Sequence, residues 1–418
     1  MRDIYKLCMP AIGVGSVAEY QRLRCLSLLA VVISSALIFV ISFAAVADQL
    51  EIVPGAIWND TDGHPINAHG GGMLFYNGVY YWYGEFKQGK TYLPDCNKSW
   101  GGTRVDVIGI SCYSSTNLYD WQNEGIVLPA VTNDPNHDLN PSRALERPKV
   151  IYNVNTKKFV MWMHIDNARY SAARSGVAVS GKPTGPFVYL GSFRPNAGVW
   201  PENVTDTDKQ PGLTNFLARD FVGGQMARDM TVFVDEDGNA YQFYSSEENP
   251  TMQVSLLTDD YLRPAGKYWR AFIGRSMEAP TVFKHAGKYY LIASGCTAWA
   301  PNAARSAVAD HIWGPWTEIG NPCVGVDADK TFHSQSTFIL PVAGQPDKCI
   351  FIADRWNQWN LPDSRYVWLP LAFALDGRPI LRWHDHWSID VSSEFGIVDF
   401  SKPNDGVVNL QAKSPTKL

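Results

Sequence analysis

Three side chains have the types and the setting for acid–base work on a polar bond. Glu278 heads the run MEAPTVF, Asp229 heads RDMTVF and Gln335 heads SQSTF, each a polar residue at the start of an apolar stretch. A carboxyl group in that setting stands at the end of a strand and the edge of a core. Partial desolvation there raises its pKa, and a second carboxylate nearby raises it further. Glu278 beside Asp229 would then keep its proton near neutral pH and could pass it to a leaving oxygen. The plainer reading of each, a carboxylate on a surface turn, is weakened by repetition, because Glu146 heads LERPKV in the same manner.

The elements that must position these residues are hairpins. From Met277 to Thr297 the chain reads MEAPTVFKHAGKYYLIASGCT: a strand opening on Glu278, a turn at Ala286-Gly287 and an aromatic return strand. The pattern recurs at Glu146, Asp229 and Gln335, with a fainter first copy, HGGGMLFYNGVYYWYGE, from His69 to Glu85. Each hairpin is followed by a second pair of short Val/Ile/Tyr/Trp runs broken by Gly, Pro, Asn and Asp, which reads as strands joined by turns. Thr184-Gly185-Pro186-Phe187 and Trp313-Gly314-Pro315-Trp316 are one turn used twice. Four strands repeated five times predict an all-β chain, a five-bladed β-propeller over residues 48–400. Its inner strands would point Glu146, Asp229, Glu278 and Gln335 at one end of a central channel. Residues 196–227 form a long insertion that either shapes a site or runs over the surface. The tail, 401–418, has little apolar content.

Composition narrows the classes. With 418 residues, a net charge of −5 and a pI near 6.0, the chain has no clustered Lys and Arg to replace counterions, so no nucleic-acid partner is expected. Fifteen Trp and nineteen Tyr supply both core and faces on which sugars stack. Arg22 and Arg24 precede an apolar run, Leu26 to Ala47, closing on Ala45-Val46-Ala47. That is the pattern of an export signal over residues 1–47, although its length, near the ~20 residues of a membrane span, also suits an uncleaved anchor. A secreted, periplasmic or surface location follows, with no other membrane contact. Five cysteines lie beyond residue 47; Cys96 with Cys112 is the first pairing to test, against five buried thiols.

The pieces NAHGGG at Asn67, LERPKV at Leu145, RDMTVF at Arg228, EAPTVF at Glu278 and SQSTF at Ser334, with SGCTAW and SRYVWLPL, resemble family 43 glycoside hydrolases, in particular the exo-β-1,3-galactanase branch. The resemblance runs from about Asn59 to Asp390. It implies an inverting, exo-acting release of galactose from β-1,3-linked galactan, with Glu278 as general acid and Asp229 tuning it. Inversion needs a base or water-holder some ~6.5–9.5 Å from the acid. Typical members place an aspartate at the start of blade one, where this chain has NAHGGG. In the galactanase branch the glutamine of SQSTF, here Gln335, holds the attacking water, through its imidic tautomer in one view. Glu146 is the alternative base, and otherwise binds sugar hydroxyls. The resemblance also places Glu85, Tyr170 and Thr297 in the sugar pocket.

No cofactor is required on this reading. Calcium occurs in the wider family, but the DxDG at Asp235 to Gly238 has hairpin-turn spacing, not that of a calcium loop. His69 reads as structural, while His333 near the axis is a candidate ligand for a metal or water. The expected partner is a poly- or oligosaccharide, and the expected state a monomer. Two other readings stand beside this one: a different family 43 exo-activity, α-L-arabinofuranosidase or β-xylosidase, and a non-catalytic carbohydrate-binding propeller.

Overall fold

The computed structural model describes residues 50–93, 103–345, 347–390 and 395–398. The export segment 1–47, the tail 401–418 and Cys96 lie outside them.

Five antiparallel sheets follow one another along the chain. Blade one comprises His69–Tyr76, Val79–Lys87, Val107–Ser115 and Gln122–Pro129. Blade two comprises Ala144–Asn153, Lys158–Asp166, Arg174–Ser180 and Val188–Phe193. Met230–Val234, Ala240–Ser246, Thr251–Leu257 and Pro264–Ala271 form blade three. Blade four is Met277–His285, Lys288–Gly295, Arg305–Ala309 and Thr317–Gly320. Blade five is Gln335–Pro341, Cys349–Arg355, Arg365–Ala374 and Pro379–Arg382, to which Cys323–Val324 adds a parallel outer strand and Gly396–Val398 a parallel pairing with Arg365–Ala374. The five-bladed propeller expected from the hairpin repeats is the fold observed. Ring closure is tied by Ile52 and Trp387, which exchange backbone hydrogen bonds of 2.7 and 3.0 Å.

Alternation along each strand turns apolar side chains to both faces, and the five large apolar clusters fall one between each pair of adjacent blades. Most of the Trp content serves this packing. Trp82, Trp121 and Trp368 meet edge-on or tilted, with centroids 5.1–6.0 Å apart, between blades one and five. Each such ring removes a large apolar area from water, so truncation to Ala would cost ~3–5 kcal/mol.

Three sequence expectations resolve here. The Ala286-Gly287 turn is a two-residue hairpin, with His285 paired to Lys288. Asp235 to Gly238 is the turn between the first two strands of blade three, closed by Asp235 N to Asn239 O at 2.9 Å. The long insertion packs on the outer edge of blade three, through Glu202 N to Tyr268 O and the Arg270–Asp208 ion pair, with Trp200 stacked on Phe221.

Candidate active site

Two concentric rings of polar residues crown one end of the propeller. At the start of the inner strands, or within two residues of it, stand His69, Glu146, Glu278 and Gln335, with Asp229 immediately before the inner strand of blade three. Opposite them on the second strands stand Glu85, His164, Ser294 and Asp354, while Ser245 N bonds Asp229 O. In blades one, two and four the ladder bulges just after the inner-ring residue. The next residue is left-handed each time: Gly70 at φ +59°, Arg147 at +55° and Ala279 at +54°.

That bulge turns a backbone N–H toward the preceding blade, where a carboxylate accepts it. Gly70 N donates to Asp354 Oδ2 at 2.8 Å, Arg147 N to Glu85 Oε1 at 3.0 Å and Ala279 N to Asp229 Oδ2 at 3.0 Å. The glycines of NAHGGG follow from the same geometry. A Cβ on Gly70 would overlap the Glu85 carboxylate, and one on Gly71 the Tyr83 carbonyl.

Glu278, Asp229 and Gln335 are brought together by Arg147. Its guanidinium reaches Asp229 Oδ2 at 2.8 Å and donates to Gln335 Oε1 at 2.7 Å. Trp356 Nε1 gives Gln335 Oε1 a second hydrogen bond of 2.8 Å. Two donors on that atom identify it as the carbonyl oxygen. The amide nitrogen therefore faces the other way, donating to Glu278 Oε1 at 3.1 Å and Ser294 Oγ at 3.0 Å. An imidic tautomer would place an O–H against two N–H donors, so this arrangement favours the ordinary amide. Burial, and next the Asp229 charge, push the Glu278 carboxyl up to about 8, with Arg147 opposing. Burial and the Glu278 charge lift the adjacent Cys296 thiol to about 12, so it stays protonated.

Glu146 belongs to a separate network. Tyr170 OH donates to Glu146 Oε1 at 2.6 Å, and His164 bridges Glu146 Oε2 at 3.1 Å and Asp166 Oδ2 at 3.0 Å. Burial would depress the imidazole, but hydrogen bonds to Asp166 and Glu146 raise it to about 10. Burial would likewise raise Glu146, yet His164 and then Lys87 and Tyr170 hold it at about 2. A carboxylate that weakly basic is suited to accepting hydrogen bonds and is a poor proton acceptor. Glu146, His164 and Asp229 each have a ligating atom within 4.8 Å of the others. Both imidazole nitrogens already face carboxylates, Glu146 and Asp166. Arg147 already holds Asp229.

Glu85 is 1 % exposed, its carboxylate held by Lys87 and the Arg147 N–H, so it braces the floor of the site. Thr297 is exposed on the turn after Gly295, its hydroxyl donating to Ala300 O and accepting from Asn302 Nδ2. His333 is exposed and pairs with Asp327 at 3.2 Å. His69 is buried against Tyr366 and held by Asp354 at 3.1 Å. Cys112 is a buried free thiol. The sequence reading missed Arg147, His164, Ser294, Asp354 and Trp356. Counting back across each hairpin turn from its opening residue would have marked His164, Ser294 and Asp354; Arg147 and Trp356 carry no such signal.

A five-bladed propeller whose funnel pairs a protonated carboxyl group with a second carboxylate and an oriented amide is a glycoside hydrolase scaffold. The comparisons agree and narrow it. The chain belongs to the glycosyl hydrolases family 43, whose profile matches residues 77–334. It is 45% identical to the family 43 β-1,3-galactosidase BT3683, solved with galactodeoxynojirimycin, over 81% of this chain and 100% of that one, with a TM-score of 0.74. It is 32% identical to the exo-β-1,3-galactanase of Phanerochaete chrysosporium in complex with β-1,3-galactotriose, over 83% of this chain and 70% of that one, TM-score 0.67. The exo-β-1,3-galactanase of Clostridium thermocellum is 38% identical over 83% of this chain and 68% of that one, TM-score 0.67. No curated protein sequence matches.

Proposed function

We propose that this chain releases galactose from the non-reducing end of β-1,3-linked galactan with inversion at the anomeric carbon. The observation that carries the reading is the Glu278 carboxyl group, held protonated to about 8 within reach of Asp229 and Gln335, in a chain that covers the whole of a β-1,3-galactosidase at 45% identity. Glu278 protonates the leaving glycosidic oxygen. Asp229 raises the pKa of that acid and orients Arg147. Gln335, fixed at its oxygen by Arg147 and Trp356, positions the attacking water once Glu278 turns to the substrate; the water oxygen bonds the anomeric carbon as the glycosidic bond breaks, and the proton it sheds passes to solvent. Glu146, ionised throughout the working range, and Tyr170 accept and donate hydrogen bonds to the sugar hydroxyls. Wrong epimers leave these groups unpaired, which is how such a site discriminates.

A purely carbohydrate-binding propeller gains nothing from a carboxylic acid raised this far, which weighs against that alternative. The test is product analysis on linear β-1,3-galactan with the anomer followed by NMR. α-Galactose as first product supports the reading. β-Galactose would exclude inversion, and release of arabinose or xylose from their glycosides with no galactose would transfer the chain to another family 43 activity.

A further inference from the structure

Lys149, the last residue of the ERPK run, is 2 % exposed and plays no part in the reaction as proposed. Its ammonium has no carboxylate within hydrogen-bonding distance among the described residues. It donates instead to three backbone carbonyls: Gly70 O at 3.0 Å, Arg147 O at 3.4 Å and Pro148 O at 3.5 Å. A buried ammonium without a counter-ion in contact is costly, so its retention calls for a specific role.

The carbonyls explain where it sits. The ladder of blade two jumps from Glu146 to Lys149, which leaves Arg147 and Pro148 outside the pairing. Oxygens so released need a donor. The matching bulge in blade four, Glu278-Ala279-Pro280-Thr281, is capped by a neutral hydroxyl, Ser336 Oγ to Ala279 O at 2.7 Å. A neutral cap on one carbonyl therefore suffices for the backbone, and the amine in blade two, reaching three carbonyls at once, answers something else. Burial, and next the Arg147 charge, pull the Lys149 ammonium down to about 7 against the nearby carboxylates of Glu85, Asp229 and Asp354, and its carbonyl partner Arg147 is the residue whose guanidinium holds Asp229 and Gln335. Gly72 clears the way for the stem: a Cβ there would stand 2.5 Å from Lys149 Cδ.

We propose that the carbonyls of Gly70, Arg147 and Pro148 form a cation site between blades one and two, which this chain fills with its own Lys149 ammonium. The site makes Lys149 a positioning residue for the water side of the reaction. The Arg147 turn is held at its N–H by Glu85 and at its carbonyl by Lys149, and the guanidinium it carries sets which way the Gln335 amide points. The role in catalysis rests on the function proposed above; the cation site does not.

Lys149→Met keeps much of the stem and removes the charge. It should lower kcat about tenfold or more with KM little changed, and equally on galactan and on an activated aryl β-galactoside, because the water and not the leaving group is affected. Lys149→Ala opens the site. Ammonium chloride should then restore part of its kcat and raise its Tm, while tetramethylammonium chloride, too large to enter, does neither. A Lys149→Met enzyme with wild-type kcat on both substrates, or a loss confined to galactan, would overturn the positioning role. Should Lys149→Met not fold, Gly72→Ala crowds the same stem and must show the same loss on both substrates; an unchanged kcat overturns the role. If wild-type protein cleaves neither substrate, the function reading fails by itself, and the cation site is judged on heat alone. A selective ammonium-dependent rise in the Tm of Lys149→Ala supports it, and no rise over the tetramethylammonium control removes it.

Discussion

The Gln335 amide nitrogen lies 3.1 Å from Glu278 Oε1, so the proposed acid and the proposed water-holder are hydrogen-bonded to each other. With Arg147 and Trp356 on its oxygen and Ser294 on its nitrogen, Gln335 makes four hydrogen bonds within the protein. An inverting pair stands ~6.5–9.5 Å apart, so on the proposed mechanism Glu278 must leave Gln335 for the glycosidic oxygen before substrate and water fit between them. The two residues are thereby coupled, and the mutants of each should be read against two substrates.

Glu278→Gln should lose kcat on galactan by ~10²–10⁴, the usual worth of general acid catalysis, and lose much less on an aryl galactoside whose leaving group needs no proton. Steady-state kinetics on both substrates measure this. Equal losses would remove Glu278 from the acid role.

Gln335→Ala should damage both substrates alike, because water placement serves either leaving group. Azide that occupies the vacated position should restore turnover and yield the inverted α-galactosyl azide. If Glu146→Ala shows that rescue and Gln335→Ala does not, the water belongs to Glu146.

The Glu278 proton sets the alkaline limb. With the carboxyl at about 8 in the folded chain against an ordinary 4.5, kcat/KM should fall as pH passes about 8. Stability carries the same sign: between 4.5 and 8 the folded state binds the proton more tightly than the unfolded chain, so this group's contribution is lost as pH rises. Thermal unfolding across pH 5–8 should therefore slope downward less steeply in Glu278→Gln than in wild type. A parallel slope would contradict the raised pKa.

The imidazolium between Glu146 and Asp166 is a buried charge with two partners, and removing it strands both carboxylates. His164→Gln should destabilise the chain by ~3–5 kcal/mol at pH 7. Glu146, lowered to about 2, contributes stability above 4.5 that is lost as pH falls toward 2, whereas His164, raised to about 10, contributes below 6.5 and loses it as pH rises toward 10. The mutational penalty should accordingly be largest between about pH 4.5 and 6.5 and shrink toward both ends, as denaturant melts at several pH values would reveal. A penalty independent of pH would mean that packing, not charge, is what His164 supplies.

Much of this was written locally. Strand alternation, two-residue turns and a polar residue at the head of each hairpin are short-range signals, and they were enough to read five blades and to single out Glu146, Asp229, Glu278 and Gln335. What they could not carry is which way a side chain points once blades meet. Glu85 opens toward the Arg147 N–H and Lys87 because Gly70 leaves room for its carboxylate. Asp354, from blade five, supplies a carboxylate beside the NAHGGG turn, where blade one offers none of its own at that step. The hub itself, Arg147 touching Glu85, Asp229 and Gln335 from three other blades, depends on a left-handed bulge and on closure of the ring. The sequence alone determined the hairpins and their polar leading residues, since propensity and turn chemistry act over a few positions. Partner choice among those residues was decided by tertiary structure, since contacts spanning up to some 285 positions exist only after the last blade packs against the first.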